Sequence, residues 1–535
     1  MDFGFDSLMP PLVAICLAIA TQRVVLPLAL GVFCGAVMLA PHDSILLSPL
    51  LYFRYTMQDS IMSTSHLQAL LFSLLLGAMV GVLEIGGGMR SLIGGLAKTI
   101  RSRRGAQTLV ATSGLAVFFD DYANTLLVGG TMRSTADRYG MSRSKLAYLV
   151  DSTAAPVAGL SIISTWAATE ISYMSDGLMA AGITDRAAGF ELFIRSIPYR
   201  FYPLLALVMV FIIARTGRDF GPMRSAEQEA MDRHLDGGGS AENGSGDDEA
   251  VSSLPRYLWL AAIIPVLLCI AVVGVVLMIT GYLSLGPQNA GLPTWKYLGL
   301  VFSNGDSYRA LIAGGAIGWA ATSLMHLGMG GCRPVDLFWG TYRGAKQMMP
   351  AMVILWFAWA LSALTEPDRL NTSGYLAAVL SNGLDVRLLP AIVFVIAGLT
   401  AFSTGTSWGT MGILTPLSVS LAITMDPSGG PGGAICLATC GSVLAGAIFG
   451  DHCSPISDTT VLSSRASGCD HVRHVRTQMP YAIIVAAVCI AVGCVPAALG
   501  VSPWISLLAG SVVLVAIVRW VGKEPVLHEE NESPG

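Results

Sequence analysis

Apolar runs of close to helix-spanning length recur along this chain from Leu8 to about residue 520, and several are interrupted midway by polar residues. A hydrocarbon core about 30 Å thick is crossed by roughly 20 residues of helix. Inside it the backbone must satisfy its own hydrogen bonds, and irregular backbone is tolerated only against protein or a wet cavity. The chain is 53% hydrophobic and 12% charged, with a mean hydropathy of +0.63. A soluble domain carries about 25% charged residues. The reading is an all-α polytopic membrane protein with its solvated surface confined to loops.

Spans are expected at about 8–22, 24–40, 67–89, 146–172, 201–214, 257–280, 309–327, 347–364, 433–463, 479–499 and 503–520. Two further apolar pairs, about 105–134 and 388–423, read as re-entrant hairpins, giving about 11 spans plus two hairpins. With the N-terminus outside, 23 of the 31 Lys and Arg fall in cytoplasmic segments, as the positive-inside rule requires. Each half then holds three spans, a hairpin, a broken span and one more. Five spans per half is odd, so the second copy is inverted, a layout used by transporters whose discontinuous helices meet at the midplane. The divisions are a first repeat (1–214), a flexible cytoplasmic linker (215–256), an inverted second repeat (257–500), and an extra span with a polar tail (501–535). The linker's Gly, Ser and acidic residues bury too little apolar surface to fold. Asp2 and Asp6 precede the first apolar run where a cleaved signal would carry basic residues, so that run reads as a span.

Polar groups at membrane depth are costly and mark ion or substrate pathways. Four clusters stand out: the first hairpin tip (Asp120, Asp121, Asn124, Thr125); Asp151 and Ser152, followed by Pro156, which breaks a helix; the neutral, Gly-bearing Thr404, Thr406 and Ser407; and Asp451, His452, Ser454, Ser457, Asp458 and Thr459. The inverted layout brings all four to one central site. A sodium ion exchanges its water for protein oxygens: carbonyls at unwound helix, neutral hydroxyls and amides, and a carboxylate. Blander roles compete. One of Asp120 and Asp121 could only cap a helix, Asp151 could pair with Lys145 or Arg143, and His452 could be a satisfied buried histidine. Glu170 could line an outer vestibule. No Walker loop, metal-protease helix, paired CxxC or basic aromatic patch occurs. These gaps argue against an enzyme, an ATPase subunit, a zinc site and nucleic-acid binding.

The run Gly450-Asp451-His452-Cys453-Ser454-Pro455-Ile456-Ser457-Asp458-Thr459-Thr460 resembles the signature of the NhaC-type sodium/proton antiporter family. The tip Phe119–Thr125 and the segment Gly405–Thr410 are similar to family segments, and the likeness extends over roughly 65–500. The resemblance implies a scaffold part and a moving part bearing hairpins and broken helices. It marks Asp120, Asp121, Asn124, Asp151, Thr404, Ser407, Asp451 and Asp458 for test. The expectation is a secondary transporter of the inner cell membrane that exchanges Na+ for H+, without a resident cofactor. Na+ would be held by Asp120, Asn124, Ser407, Asp451 and Asp458. The alternative is a sodium- or proton-coupled carrier of a small organic acid or amino acid, since relatives of that kind exist in the family. That carrier would profit from a midplane cation, and every Lys and Arg sits near an expected span end, with Arg309 the closest exception. A large scaffold face is the kind of surface that pairs in a homodimer.

Overall fold

The computed structural model describes residues 3–21, 23, 25–41, 47–97, 100–235, 257–285, 301, 305–366, 368–380, 385–455 and 457–525. Among these the chain is helical, with one isolated β-bridge between Asp219 and Lys523. The first half holds α1 (Met9–Thr21), α2 (Val25–Leu39), α3 (Leu47–Met62), α4 (Thr64–Gly86), α5 (Gly88–Ala97), α6 (Arg103–Ala116), α7 (Asp121–Thr131), α8 (Arg133–Arg138), α9 (Arg143–Ala158), α10 (Ala167–Ala180), α11 (Arg186–Ser196), α12 (Phe201–Thr216) and α13 (Gly221–Leu235). The second half holds α14 (Leu260–Leu285), α15 (Ser307–Gly328), α16 (Pro334–Gln347), α17 (Met349–Leu364), α18 (Thr372–Leu380), α19 (Leu389–Thr404), α20 (Ser407–Met425), α21 (Ala434–Cys453), α22 (Asp458–Ser467), α23 (His471–Val488) and α24 (Pro503–Val521).

Nine helices among the described residues are long and apolar enough to cross a membrane, and the bent pair α11–α12 would make a tenth. The count differs from the eleven spans and two hairpins expected. Helices α1 and α2 have 13 and 15 residues, short of a full crossing, while both arms of the second hairpin, α19 and α20, are among the nine. The protein is a multi-pass, all-helical membrane protein.

The helices pack as two groups. One gathers α1–α4 with α14–α17; the other gathers α6–α12 with α19–α24. Within the first, α4 and α16 cross through paired glycines. A Cβ at Gly81 would stand 2.2 Å from the Gly340 carbonyl oxygen, and one at Gly344 2.0 Å from that of Gly77. Small residues four apart on both helices let the backbones touch, which substitutes for the hydrophobic driving force that lipid removes. The two groups meet where α10 lies against α4 and α17, and where α20 lies against α17.

The linker is partly folded. Residues 221–235 form α13, which buries Met223, Ala226 and Glu227. Glu227 accepts from Arg103 Nη2 at 2.6 Å and from the Ser142 amide at 2.8 Å. Just ahead of it, buried Asp219 accepts from Lys145 Nζ and, at 2.7 Å, from the Tyr481 hydroxyl. Average composition concealed a short apolar face backed by specific ion pairs. Burial pushes the Glu227 carboxyl up from its ordinary value, against the pull of Lys145. The Gly- and Ser-rich run from 236 to 256 and the tail from 526 lie outside the described residues.

Candidate functional site

The first hairpin turns between α6 and α7. Asp120 has extended backbone (φ −159°) and caps α7, its Oδ1 accepting from the Ala123 amide at 2.7 Å. Its Oδ2 accepts from Thr165 Oγ1 at 2.9 Å, and the Thr165 amide donates to the Phe119 carbonyl at 2.9 Å. Thr165 lies in the non-helical stretch 159–166 between α9 and α10, which follows Pro156 in the last turn of α9. Proline supplies no amide there and favours the stop. Asn124 Nδ2 donates to the carbonyls of Gly114 (2.7 Å), Val117 (3.1 Å) and Thr153 (3.1 Å). One amide thus ties both arms of the hairpin to α9. Asp121, beside the cap, is buried, and neither carboxylate oxygen has a well-aligned hydrogen bond among the described residues, the Trp166 indole being its one side-chain donor within reach; Asn124 Oδ1 and Thr125 Oγ1 have no partner among the described residues.

The second break separates α21 from α22 at Ser454 and Pro455, and Ser457 caps α22. Asp451 Oδ2 accepts from Thr459 Oγ1 at 3.0 Å, and its backbone carbonyl accepts from Thr460 Oγ1 at 3.2 Å. Its Oδ1 is buried and unpartnered among the described residues. Helix α22 packs against both α7 and α9, which places the second break beside the first hairpin. His452 pairs through Nδ1 with the Tyr202 hydroxyl at 3.0 Å, while Nε2 has no partner among the described residues.

Asp151 is engaged differently from the expectation. Neither Lys145 nor Arg143 reaches it; Lys145 takes Asp219 and Arg143 takes Asp137. Its carboxylate accepts from Thr460 Oγ1 (3.2 Å), Ser463 Oγ (2.9 Å) and Gln478 Nε2 (2.6 Å), and His474 Nε2 stands 3.4 Å away. The Gln478 amide also donates to the His452 carbonyl at 2.9 Å. Asp151 therefore joins α9, α22 and α23 and has little capacity left for a ligand. Gln478 and His474 were overlooked because the expected span began at 479, whereas α23 begins at His471. Two polar residues four apart, just ahead of that run, were the available signal.

At the second hairpin Gly405 ends α19 in the left-handed region (φ 68°), a conformation open to glycine. The Asp458 amide donates to the Gly405 carbonyl at 3.4 Å, and Trp408 packs against Trp166 with ring centroids 5.4 Å apart. Thr404 Oγ1 returns to the Thr400 carbonyl and Ser407 Oγ reaches the Ala447 carbonyl at 3.4 Å. Thr406 precedes α20 with extended backbone, and its carbonyl accepts from Thr410 Oγ1. Ser152 is buried and lines a small cleft with Tyr148, Tyr202, His452 and Gln478; Ser454 is also buried. Asp458 is the exception, exposed at the start of α22. The four clusters are linked in a chain: Asn124 to Thr153, Asp151 to Thr460, Asp458 to Gly405. Among the described residues no three of His, Cys, Asp and Glu converge as a metal-ligand set.

One buried cation lies close by. Arg200, just ahead of the span expected at 201–214, is buried and forms an ion pair with Glu170 at 2.7 Å. It also donates to the Gly159 carbonyl and, at 3.2 Å, to Ser196 Oγ. The guanidinium thus bridges both sides of the first break, and Glu170 is its counter-ion instead of a vestibule group.

The Na+/H+ antiporter family matches residues 157–497 of this chain. An uncharacterized protein of Haemophilus influenzae is 33% identical over 492 residues, 91% of this chain and 90% of that protein. The arginine/ornithine antiporter ArcD of Halobacterium salinarum is 30% identical over 213 residues, 38% of this chain and 39% of that protein. In fold, the chain is similar to the YdaH transporter of Alcanivorax borkumensis, with a TM-score of 0.56 at 14% identity over 95% of this chain and 98% of the other. A family match across both breaks and the second hairpin, on a bundle of membrane helices that encloses buried carboxylates, makes this chain a secondary transporter belonging to the Na+/H+ antiporter family.

Proposed function

We propose that the protein is a Na+/H+ antiporter of the inner cell membrane in which Asp121 and Asp451 bind Na+ and H+ in competition. The observation that carries this reading is the buried Asp121 carboxylate, which has no well-aligned donor and only the Trp166 indole within reach, on a helix packed against α22 at the break that bears the buried Asp451. A carboxylate taken out of water without donors is strongly disfavoured as a bare anion. It must hold either a proton or a cation, and one carboxylate that holds them by turns couples the two fluxes. Asn124 Oδ1 and Thr125 Oγ1 supply neutral oxygens beside Asp121, the ligand type a hard cation prefers. Asp120 and Asp151, whose oxygens are engaged by protein donors, act by positioning the hairpin and the breaks. The hairpin-bearing group moves against the group holding α4 and α14–α17, which offers the face for a homodimer. The inverted repeat expected from the sequence is part of this proposal, and the contacts of α7 with α9 and α22, and of α20 with α21 and α10, support it by exchanging helices between the halves.

A sodium- or proton-coupled carrier of a small organic acid or amino acid is the second reading, favoured by likeness to the arginine/ornithine antiporter. Arg200 offers such a substrate's carboxylate little, being paired with Glu170. Proteoliposomes with an internal pH dye separate the readings. Sodium-driven proton movement, lost in Asp121→Asn, supports antiport. Sodium-dependent uptake of a labelled amino or organic acid with no proton movement rejects it.

A further inference from the structure

Away from these clusters, His66 at the start of α4 stands between two oxygens. Its Nδ1 lies 2.5 Å from the Ser60 carbonyl oxygen near the end of α3, and its Nε2 3.3 Å from Asp176 Oδ1 on α10. The Ser60 carbonyl can only accept, as one of the last carbonyls of a helix that lack an intrahelical partner. Nδ1 must therefore carry hydrogen. In a neutral imidazole Nε2 then presents a lone pair to a carboxylate, and no hydrogen bond forms. The contact is satisfied when one more proton is present, on the ring or on the carboxyl. Rotating the ring by half a turn aims carbon at both oxygens and removes both contacts. His66 and Asp176 are both buried, and Asp176 Oδ2 has no other partner among the described residues.

The surroundings suit a positive ring. Trp359 of α17 lies flat on the imidazole, with centroids 3.9 Å apart and planes within 4°, so its face carries the negative part of the ring quadrupole to the cation. The Trp359 indole donates to Ser172 Oγ of α10 at 2.8 Å. Two hydrogen-bonded contacts thus join α4 and α17 of one helix group to α10 of the other, side by side. The titratable and charged groups facing the pair are Tyr173 of α10, Tyr308 of α15 and Glu366 beyond α17. Near Glu366 stand Asp59 of α3, Asp368 and Arg369.

We propose that His66 and Asp176 share one bound proton, and that this proton ties the two helix groups together across α4, α10 and α17. The site is separate from the Na+ and H+ site at Asp121 and Asp451 and does not depend on that assignment. The folded pair holds a proton that the two separated side chains of the unfolded chain release above about pH 6.5. With more protons on the folded state, stability falls as pH rises through that window. Asp176→Asn replaces the shared proton by a permanent amide donor to Nε2. His66→Phe with Asp176→Leu removes both titratable groups and keeps a ring on Trp359. Melting temperatures of purified protein between pH 5.5 and 8.5 test the site without any transport step. The expected result is that wild type loses stability relative to both variants as pH rises above about 6.5, the gap to the double variant being flat below that. Melting curves of wild type and either variant that run parallel across that range would overturn the shared proton. If one variant does not fold, the other decides alone.

Discussion

The tie made by Asn124 can be broken with one substitution. Its two amide hydrogens serve three carbonyls, at Gly114, Val117 and Thr153. A side-chain hydrogen bond between membrane helices contributes about 0.6 kcal/mol on average and up to about 1.7, and a buried group left without its partner costs about 1–3 kcal/mol. Asn124→Ala should therefore destabilise the hairpin against α9 by about 1–3 kcal/mol. Asn124→Asp keeps the shape but turns a carboxylate oxygen toward the three carbonyls. Protonated, it can donate once; ionised, it repels all three. Its stability should therefore fall as pH rises, while that of Asn124→Ala shows no such added slope. Melting temperature in detergent, followed by sodium-driven dye recovery in liposomes, reads both effects. Wild-type melting and transport in Asn124→Ala would refute the claim that this amide holds the tip, and matching pH slopes for the two variants would refute the electrostatic part.

Other perturbations follow from the same geometry. Asp120→Asn keeps a capping oxygen and should fold like wild type, whereas Asp120→Ala should lose about 1 kcal/mol, the usual value of an N-cap, seen as a lower melting temperature. Glu170→Gln leaves the buried Arg200 guanidinium without its counter-ion and should cost about 3–5 kcal/mol. Arg200→Met combined with Glu170→Leu should recover most of that loss, and membrane-fraction yield with thermal melting will show whether it does. Gly81→Leu places a side chain where a Cβ alone would meet backbone at 2.2 Å, so protein in the membrane should drop several-fold, while Gly95→Leu, at a position open around its Cβ, should leave it unchanged.

The membrane class and the polar breaks were legible because lipid makes polar interruptions of apolar runs expensive, whereas the second pair, read as a re-entrant hairpin, has two arms long enough to cross. Asp120, Asp121 and Asn124 were singled out as candidates in this way, as were Asp451 and its neighbours. Their separate tasks were not legible. Adjacent aspartates look alike in sequence, yet Asp120 spends both oxygens on Ala123 and Thr165 while Asp121 has no well-aligned donor, only the Trp166 indole within reach. Asp151 looked like a free carboxylate because its partners Ser463 and Gln478 lie more than 300 positions away. Arg200 was hidden for the opposite reason: it sits at a helix end, where a cation is ordinarily solvated, and only tertiary packing on Phe193 and Glu170 reveals it as buried. Helix α13 was missed because its apolar face is short and its docking relies on Arg103 and Ser142 far upstream.

The central claim is competition of Na+ and H+ for the same carboxylates, and the dependence of sodium-driven exchange on pH tests it most directly. Initial rates in proteoliposomes over a range of sodium concentrations, repeated at several pH values, give KM for Na+ and the limiting rate separately. Competition predicts that KM rises as pH falls while the limiting rate at saturating sodium stays constant, and that Asp121→Asn abolishes exchange at every pH. A limiting rate that falls with pH at constant KM, or an Asp121→Asn protein that still exchanges, would contradict it.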